Sequence, residues 1–455
     1  MNPADQIRRE VRDSKQKIVV LDDDPTGTQT VYDVPVLADW SIDALAAELA
    51  NDLPVFYILT NSRSVSLAQA REWNLEIARN LRIAAGRTGR RFVVVSRSDS
   101  TLRGHFPGEV EALIEGLDFR PDGILLIPFF PEGGRFTVGD IHYVADGDCL
   151  IPAAETEFAR DPVFGYRHSN LHGWVEEKTQ GRTPAHCVRS ISLDTIRCGG
   201  PEAVAACLDS LSDAVVCIVN AFTERDLAVF TAGLLAAEHA GKQFLYRTAA
   251  SFVASRCGLE PRQPVTAKDL ELGAGGGLII AGSFVPKTTA QINMLLAETD
   301  TAAIELEVQE LLEADGTAHV ASVVDRVAAE LLAGRDVVVH TSRNLVAGTT
   351  TQETLEIGKR ISESVVEVVR SLPVRPRYLL AKGGITSSDI ATEALGVRRA
   401  MVKGQILPGV PVWQLGPESR HPNLPYIVFP GNVGDSRALL TVVRALANAR
   451  AAEAD

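Results

Sequence analysis

Short, nearly continuous runs of Val, Ile and Leu alternate along the chain with longer stretches in which apolar residues recur every third or fourth position. The runs KIVVLDDD, VFYILTN, RFVVVSRS, GILLIPFF, AVVCIVNA and KQFLYRT predict strands buried on both faces, the pattern of a parallel sheet. Between them IDALAAELAND, SLAQAREWNLEIARNLRIAAG and LAVFTAGLLAAEHAG predict amphipathic helices. The rhythm breaks at GLEPRQPVTAKDLELGAGGG, residues 258–277, where proline and glycine mark a linker. A second alternation follows with GLIIAGSF, TAAIELEV, RDVVVHTS, RYLLAKGG and PYIVFPGN. The expected fold is α/β: two doubly wound α/β domains with mainly parallel sheets and an interdomain cleft, residues 1–262 and 275–455, joined by a linker at 263–274. Residues 132–184, rich in Gly, Asp and His, read as an irregular insertion at the mouth of the first domain.

The length agrees with two domains, since single cores stop growing at roughly 250–300 residues and this chain has 455. A net charge of −13 without an evident basic face excludes nucleic acid as a bulk electrostatic partner. It also means that an anionic substrate needs a local cluster of Arg or Lys. The six cysteines stand at irregular spacings with no C-x-x-C pair, which speaks against a disulfide framework or a zinc ribbon. The charged beginning, MNPADQIRREVRDSKQK, has no apolar signal segment, and no apolar run approaches the roughly 18 residues of a membrane span. The expected compartment is the cytoplasm, and a homodimer is the default assembly of a metabolic enzyme.

Ligands of parallel sheets bind beyond the carboxyl ends of the strands, so the chemistry is sought just after each apolar run. In the first domain those positions hold Asp22, Asp23 and Asp24; Thr60 to Arg63; Arg97, Ser98, Asp99 and Ser100, then Thr101 to Gly104; and Pro128 to Arg135. Taken singly, a strand-end Asp is as well explained as a turn cap, and Arg63 or Arg97 as a surface ion pair. Their repetition at successive strand ends favours a site. Guanidinium forks match a carboxylate, and aspartates match sugar hydroxyls or a magnesium shell. Extended backbone points neighbouring side chains to opposite faces, so Asp23 is expected to face the pocket while Asp22 or Asp24 caps the turn at Pro25–Thr28.

The second domain carries glycine at its strand ends instead: IIAGSF, LLAKGGITSSDI and VFPGNVGD. One such turn is ordinary. Three in one domain form candidate anion nests for a nucleotide with several phosphates, although neither a Walker A motif nor a dinucleotide fingerprint is present. The missing fingerprint also speaks against an NAD-dependent oxidoreductase. Acids and arginines on one side and phosphate nests on the other make a kinase the economical reading.

The motifs DDDPTGTQT, TNSRS, RSDSTLRG, PFFPEGGR, GSF, KGGITSSDIA and FPGNVGD, in that order, span essentially the whole chain. In them the sequence resembles the four-carbon acid sugar kinases, which phosphorylate D-threonate, D-erythronate or 3-oxo-tetronate. The resemblance implies an N-terminal sugar-acid-binding domain, a C-terminal nucleotide-binding domain, and ATP with Mg2+. It implies substrate contacts at Asp22, Asp23, Asp24, Arg63 and Arg97 to Ser100, to which the strand-end reading adds Arg135. It implies ATP contacts at Ser283, at Gly383, Gly384, Ile385 and Thr386, and at Gly431. Asp23 and Asp99 are the candidate bases for the substrate hydroxyl, and no metal ligand is assigned. Three departures stand out: Arg97 where many relatives have Lys, Ile385 where many have an acid, and FPGN in place of a Lys-Ser-Gly-Asn turn. Ile385 motivates the alternative of a catalytically silent nucleotide- or metabolite-binding regulatory protein.

Overall fold

The computed structural model describes residues 3–260, 262–282, 285–312, 316–342, 351–431 and 433–447, with backbone alone for 351–355. It divides into two units, Met1–Pro261 and Arg262–Asp455. The strands of the first are β1 (Lys17–Asp22), β2 (Val34–Leu37), β3 (Val55–Leu59), β4 (Phe92–Arg97), β5 (Gly123–Ile127), β6 (Arg135–Val138), β7 (Ile141–Asp146), β8 (Cys149–Pro152), β9 (Arg189–Ile191), β10 (Val215–Val219) and β11 (Phe244–Thr248). The main sheet runs β2-β3-β1-β4-β11-β5-β10-β9 with every pairing parallel. β1 and β3 are buried at every position, as their continuous apolar runs require. Val19, Leu21, Phe56, Ile58 and Val94 belong to one core cluster with Ile77 and Leu81 of the helix Leu67–Thr88. The helix Pro3–Ser14 buries Ile7 and Val11 against Ala232 and Leu235.

Residues 132–184 are not the irregular insertion expected from their composition. β6, β7 and β8 form a three-stranded antiparallel sheet, followed by short helical turns and the helix Leu171–Lys178. The strands are short and their glycines sit in the turns at Gly139 and Gly147, both at positive φ, so the period of two is hard to see.

The second unit contains β12 (Leu278–Ala281), β13 (Ala302–Leu306), β14 (Val337–Thr341), β15 (Leu379–Lys382), β16 (Arg399–Leu407), β17 (Val410–Leu415) and β18 (Pro425–Phe429). Their order is β13-β14-β12-β15-β18-β17-β16; the first four pairings are parallel and the last two antiparallel. The hairpin β16–β17 was not marked by a continuous apolar run, because β16 alternates buried and half-buried residues along its length. Residues 263–274 hydrogen-bond within this unit: Val265 N donates to the Gln405 carbonyl at 2.7 Å, and Thr266 and Asp269 form a capping box. No helix among the described residues is long and apolar enough to cross a membrane.

Candidate active site

Register builds the site of the first unit. Asp22, the last residue of β1, lies opposite Leu59 of β3 and Arg97 of β4, and Arg97 lies opposite Thr248 of β11. Four neighbouring strands therefore end on one line, and the loops that leave them converge. Thr60 donates to the Asp22 carbonyl at 2.9 Å and Ser98 N to the Thr248 carbonyl at 2.8 Å, tying the loops together.

The three aspartates take three different roles. Asp24 caps the turn Pro25–Thr28, accepting from Thr26 N at 2.8 Å, as one of the two capping alternatives expected. Its other oxygen meets Arg63 Nη2 at 2.5 Å. Burial disfavours its charge, but Arg63 and the Thr26 hydrogen bonds outweigh that and hold the carboxyl below its usual range. Asp22 is sealed beneath the turn, 1% exposed, and pairs with Arg97 Nη1 at 3.0 Å. Burial pushes its carboxyl up to about 7, with Arg97 pulling the other way and Asp23 and Asp24 adding to the rise. Its carboxylate is held by Arg97 on β4 and covered by the turn at Gly27.

Asp23 lies between these two. Ser98 Oγ donates to Asp23 Oδ2, while Asp23 Oδ1 stands 3.3 Å from Arg63 Nε and 3.5 Å from Arg97 Nη1 without a hydrogen bond. Arg63 is carried by the turn Ser62–Ser64, which Asn61 enters in the left-handed conformation that Asn tolerates. Its third contact is Asp99, at 3.6 Å. Asp99 also accepts from Arg103 Nε at 2.7 Å and from Thr101 Oγ1. Burial opposes its charge, yet Arg63 and Arg103 prevail and keep this carboxyl far below its usual range. Asp99 therefore holds a proton weakly, which counts against the base role expected for it.

Arg63 and Arg97 are both paired with carboxylates of the protein, although each leaves its Nε buried without a hydrogen bond. Two further guanidiniums border this array. Arg135, at the start of β6, lies over the Phe158 ring at 5.3 Å and leaves Nε buried without a partner. Arg247, on β11 and 4% exposed, donates Nη2 to the Arg103 carbonyl at 3.3 Å and leaves Nη1 without a partner. Neither has a carboxylate at ion-pair distance among the described residues. Gly104 explains how the chain comes so close: its φ is 115°, and a Cβ there would sit 2.7 Å from Ser98 Oγ and 2.9 Å from Arg247 Nη2. Ser100 enters through its carbonyl, to which His142 Nε2 of β7 donates at 2.7 Å. Burial pushes His142 down to about 4, leaving the neutral ring that this hydrogen bond and the Thr137 hydroxyl require.

The expected site residues Asp23, Asp24, Arg63, Arg97, Ser98, Asp99 and Ser100 are thus brought together, and Arg135 borders them. The sequence reading passed over Arg247 and Glu109. The signal for Arg247 is a lone arginine inside the buried strand FLYRT. Glu109 is buried, accepts from Ser62 Oγ, and has its carboxyl raised by burial against the pull of Arg247.

In the second unit Ala281, Lys382 and Phe429 lie opposite one another at the ends of β12, β15 and β18, which sets the turns at Gly282, Gly383 and Gly431 side by side. Gly383 has φ 114° and its N–H donates to the Phe429 carbonyl at 2.8 Å. Gly384 opens the short helix Gly384–Asp389, and Thr386 Oγ1 stands 3.1 Å from where a Gly282 Cβ would be. Ile385 points outward, 57% exposed, so its apolar side chain leaves the turn unobstructed. A Cβ on Gly431 would meet no atom of the described residues within 4 Å. Ser283 lies outside the described residues. Among the described residues no group of three or more His, Cys, Asp or Glu side chains could hold a metal ion. Asp22, Asp23, Asp24 and Asp99 are each within ion-pair distance of a guanidinium and do not make a protein cage for magnesium.

A sugar-binding N-terminal domain model matches residues 18–256, and a nucleotide-binding C-terminal domain model matches residues 278–439. A D-threonate kinase of Salmonella typhimurium is 24% identical over 363 residues, covering 76% of this chain and 79% of that protein. A D-erythronate kinase of Heliobacterium modesticaldum is 28% identical over 227 residues, 48% of this chain and 47% of that protein. The crystal structure of a Haemophilus influenzae protein shares the fold at a TM-score of 0.63, with 18% identity, 94% of this chain and 100% of that one covered. With a sugar-binding domain model over its first unit and a nucleotide-binding domain model over its second, the chain belongs to the four-carbon acid sugar kinase family.

Proposed function

We propose that this protein is an ATP-dependent kinase that phosphorylates the terminal hydroxyl of a four-carbon sugar acid such as threonate, erythronate or an oxo-tetronate. The observation that carries this reading is the array at the ends of β1, β3, β4 and β11, where acids suited to hydroxyls stand beside guanidiniums suited to a carboxylate. Arg247 and Arg135 receive the carboxylate, since neither has a carboxylate of the protein at ion-pair distance among the described residues and each keeps an unbonded N–H. Arg63 and Arg97 hold Asp22, Asp23, Asp24 and Asp99 in place. Asp23 takes the proton from the hydroxyl as its oxygen attacks the γ-phosphorus; one P–O bond forms, the bond to the β-phosphate oxygen breaks, and ADP leaves. Asp24 and Asp99 accept hydrogen bonds from the remaining hydroxyls.

ATP is held by the turns at Gly282, Gly383, Gly384 and Gly431 with Thr386. Magnesium supplies charge neutralisation when it arrives on the phosphates of the nucleotide, as is usual for kinases. The test is ATP turnover with a panel of D-threonate, D-erythronate and their oxo forms. Turnover on one of them, absent with aldoses of the same length, supports the reading; turnover on none overturns it. Ile385, standing where many relatives have an acid, motivates a second reading, a silent nucleotide- or metabolite-binding regulator, which tight ADP binding with no turnover on any acid would favour.

A further inference from the structure

Lys382 is completely buried, at 0% exposed, although lysine is among the costliest side chains to remove from water. Buried lysines are normally paired with a carboxylate. Among the described residues Lys382 has none at ion-pair distance. Its Nζ sits 4.0 Å from the centroid of the Phe429 ring and donates to the Pro430 carbonyl at 3.3 Å. Both are weak substitutes for a counterion. Lys287 on the helix Pro286–Glu298 adds a positive charge that acts on it. The Lys382 ammonium, with no carboxylate at ion-pair distance among the described residues, stands at the carboxyl end of the central strand β15, where the turns at Gly282, Gly383 and Gly431 lie side by side. That is the charge complement of a polyphosphate.

We propose that Lys382 is a phosphate-binding residue of the nucleotide site, its ammonium supplying the neutralising charge that the glycine turns alone cannot. The proposal rests on the reading of this unit as nucleotide-binding. Burial, helped by Lys287, draws the amine down to about 7, so above neutral pH much of it is uncharged in the free protein. A bound polyphosphate favours the charged form and raises the pKa. Nucleotide binding is therefore accompanied by proton uptake above pH 7, the window between the free and bound values.

The experiment is isothermal titration of the full chain with ADP and with adenosine, at mildly alkaline pH, in two buffers of different ionisation enthalpy. Wild type is expected to take up protons with ADP and not with adenosine. Lys382→Met is expected to lose roughly ten- to hundredfold in ADP affinity, the worth of one charged hydrogen bond, and to keep its adenosine affinity. Lys382→Arg, always charged, is expected to retain ADP binding without the proton uptake. A Lys382→Met variant that binds ADP like wild type overturns the proposal. So does one that loses ADP and adenosine equally, because that loss belongs to the fold and not to the phosphates. Failure of wild type to bind either compound would instead overturn the nucleotide-binding reading itself.

Discussion

Gly27 lies directly over the carboxylate of Asp22: a Cβ at Gly27 would stand 2.1 Å from Asp22 Oδ1 and 2.2 Å from Oδ2. The carboxylate cannot retreat, because Arg97 holds it from the other side at 3.0 Å. Gly27→Ala is therefore expected to cost about 2–3 kcal/mol, the scale of overpacking in a tight interior. Urea denaturation measures it, and a wild-type midpoint would show that the turn can yield.

In our reading Asp23 is the group that receives the proton. Asp23→Asn keeps the size and the acceptor for Ser98 Oγ but removes the base. It is expected to lower kcat by about a hundred- to ten-thousandfold with ADP affinity unchanged. A loss of less than tenfold would transfer the role to another group.

Arg247 and Arg135 receive the carboxylate in our reading. Arg247→Ala should raise the KM for the acid, by roughly ten- to hundredfold, and leave the KM for ATP alone. Steady-state kinetics with each substrate varied in turn separates these. An equal rise in both would count against a carboxylate role.

Asp99 is held ionised by Arg63 and Arg103, so its folded-state pKa lies below its unfolded one. The stability this contributes is present above the unfolded carboxylate pKa, about 4, and is lost as the pH falls through the lower folded value. Asp99→Asn should thus destabilise the protein at neutral pH, by roughly 1–3 kcal/mol, and the difference should shrink in acid. Denaturation of both proteins across the acid range tests the sign; a gap that widens on acidification would reverse the assignment.

Much of the first site was legible in the sequence because a parallel sheet puts functional residues after its strands, and the apolar runs mark where strands end. Asp24 as a cap and the gathering of Arg63, Arg97 and Asp99 follow from that rule. Arg247 escaped it because it sits inside its strand, where an arginine reads as an interruption of a core pattern. Lys382 escaped for a different reason: it stands at a strand end, where a lysine reads as solvent-exposed, and its burial is invisible until Phe429 and Pro430 are placed beside it.

What the sequence determined by itself was the set of elements and their polar ends, since periodicity and glycine or proline punctuation are local properties of the chain. Only the tertiary structure decided which charges cancel. Alternation along the strand singles out Asp23 in sequence but does not separate Asp22 from Asp24. The register of β1 against β4 buries Asp22 on Arg97, and the turn at Gly27 closes over it. Arg63 converges on Asp23, Asp24 and Asp99, whereas Arg135 and Arg247 have no carboxylate at ion-pair distance among the described residues. Ion pairing falls off with distance, and those distances are set by residues far apart in the chain.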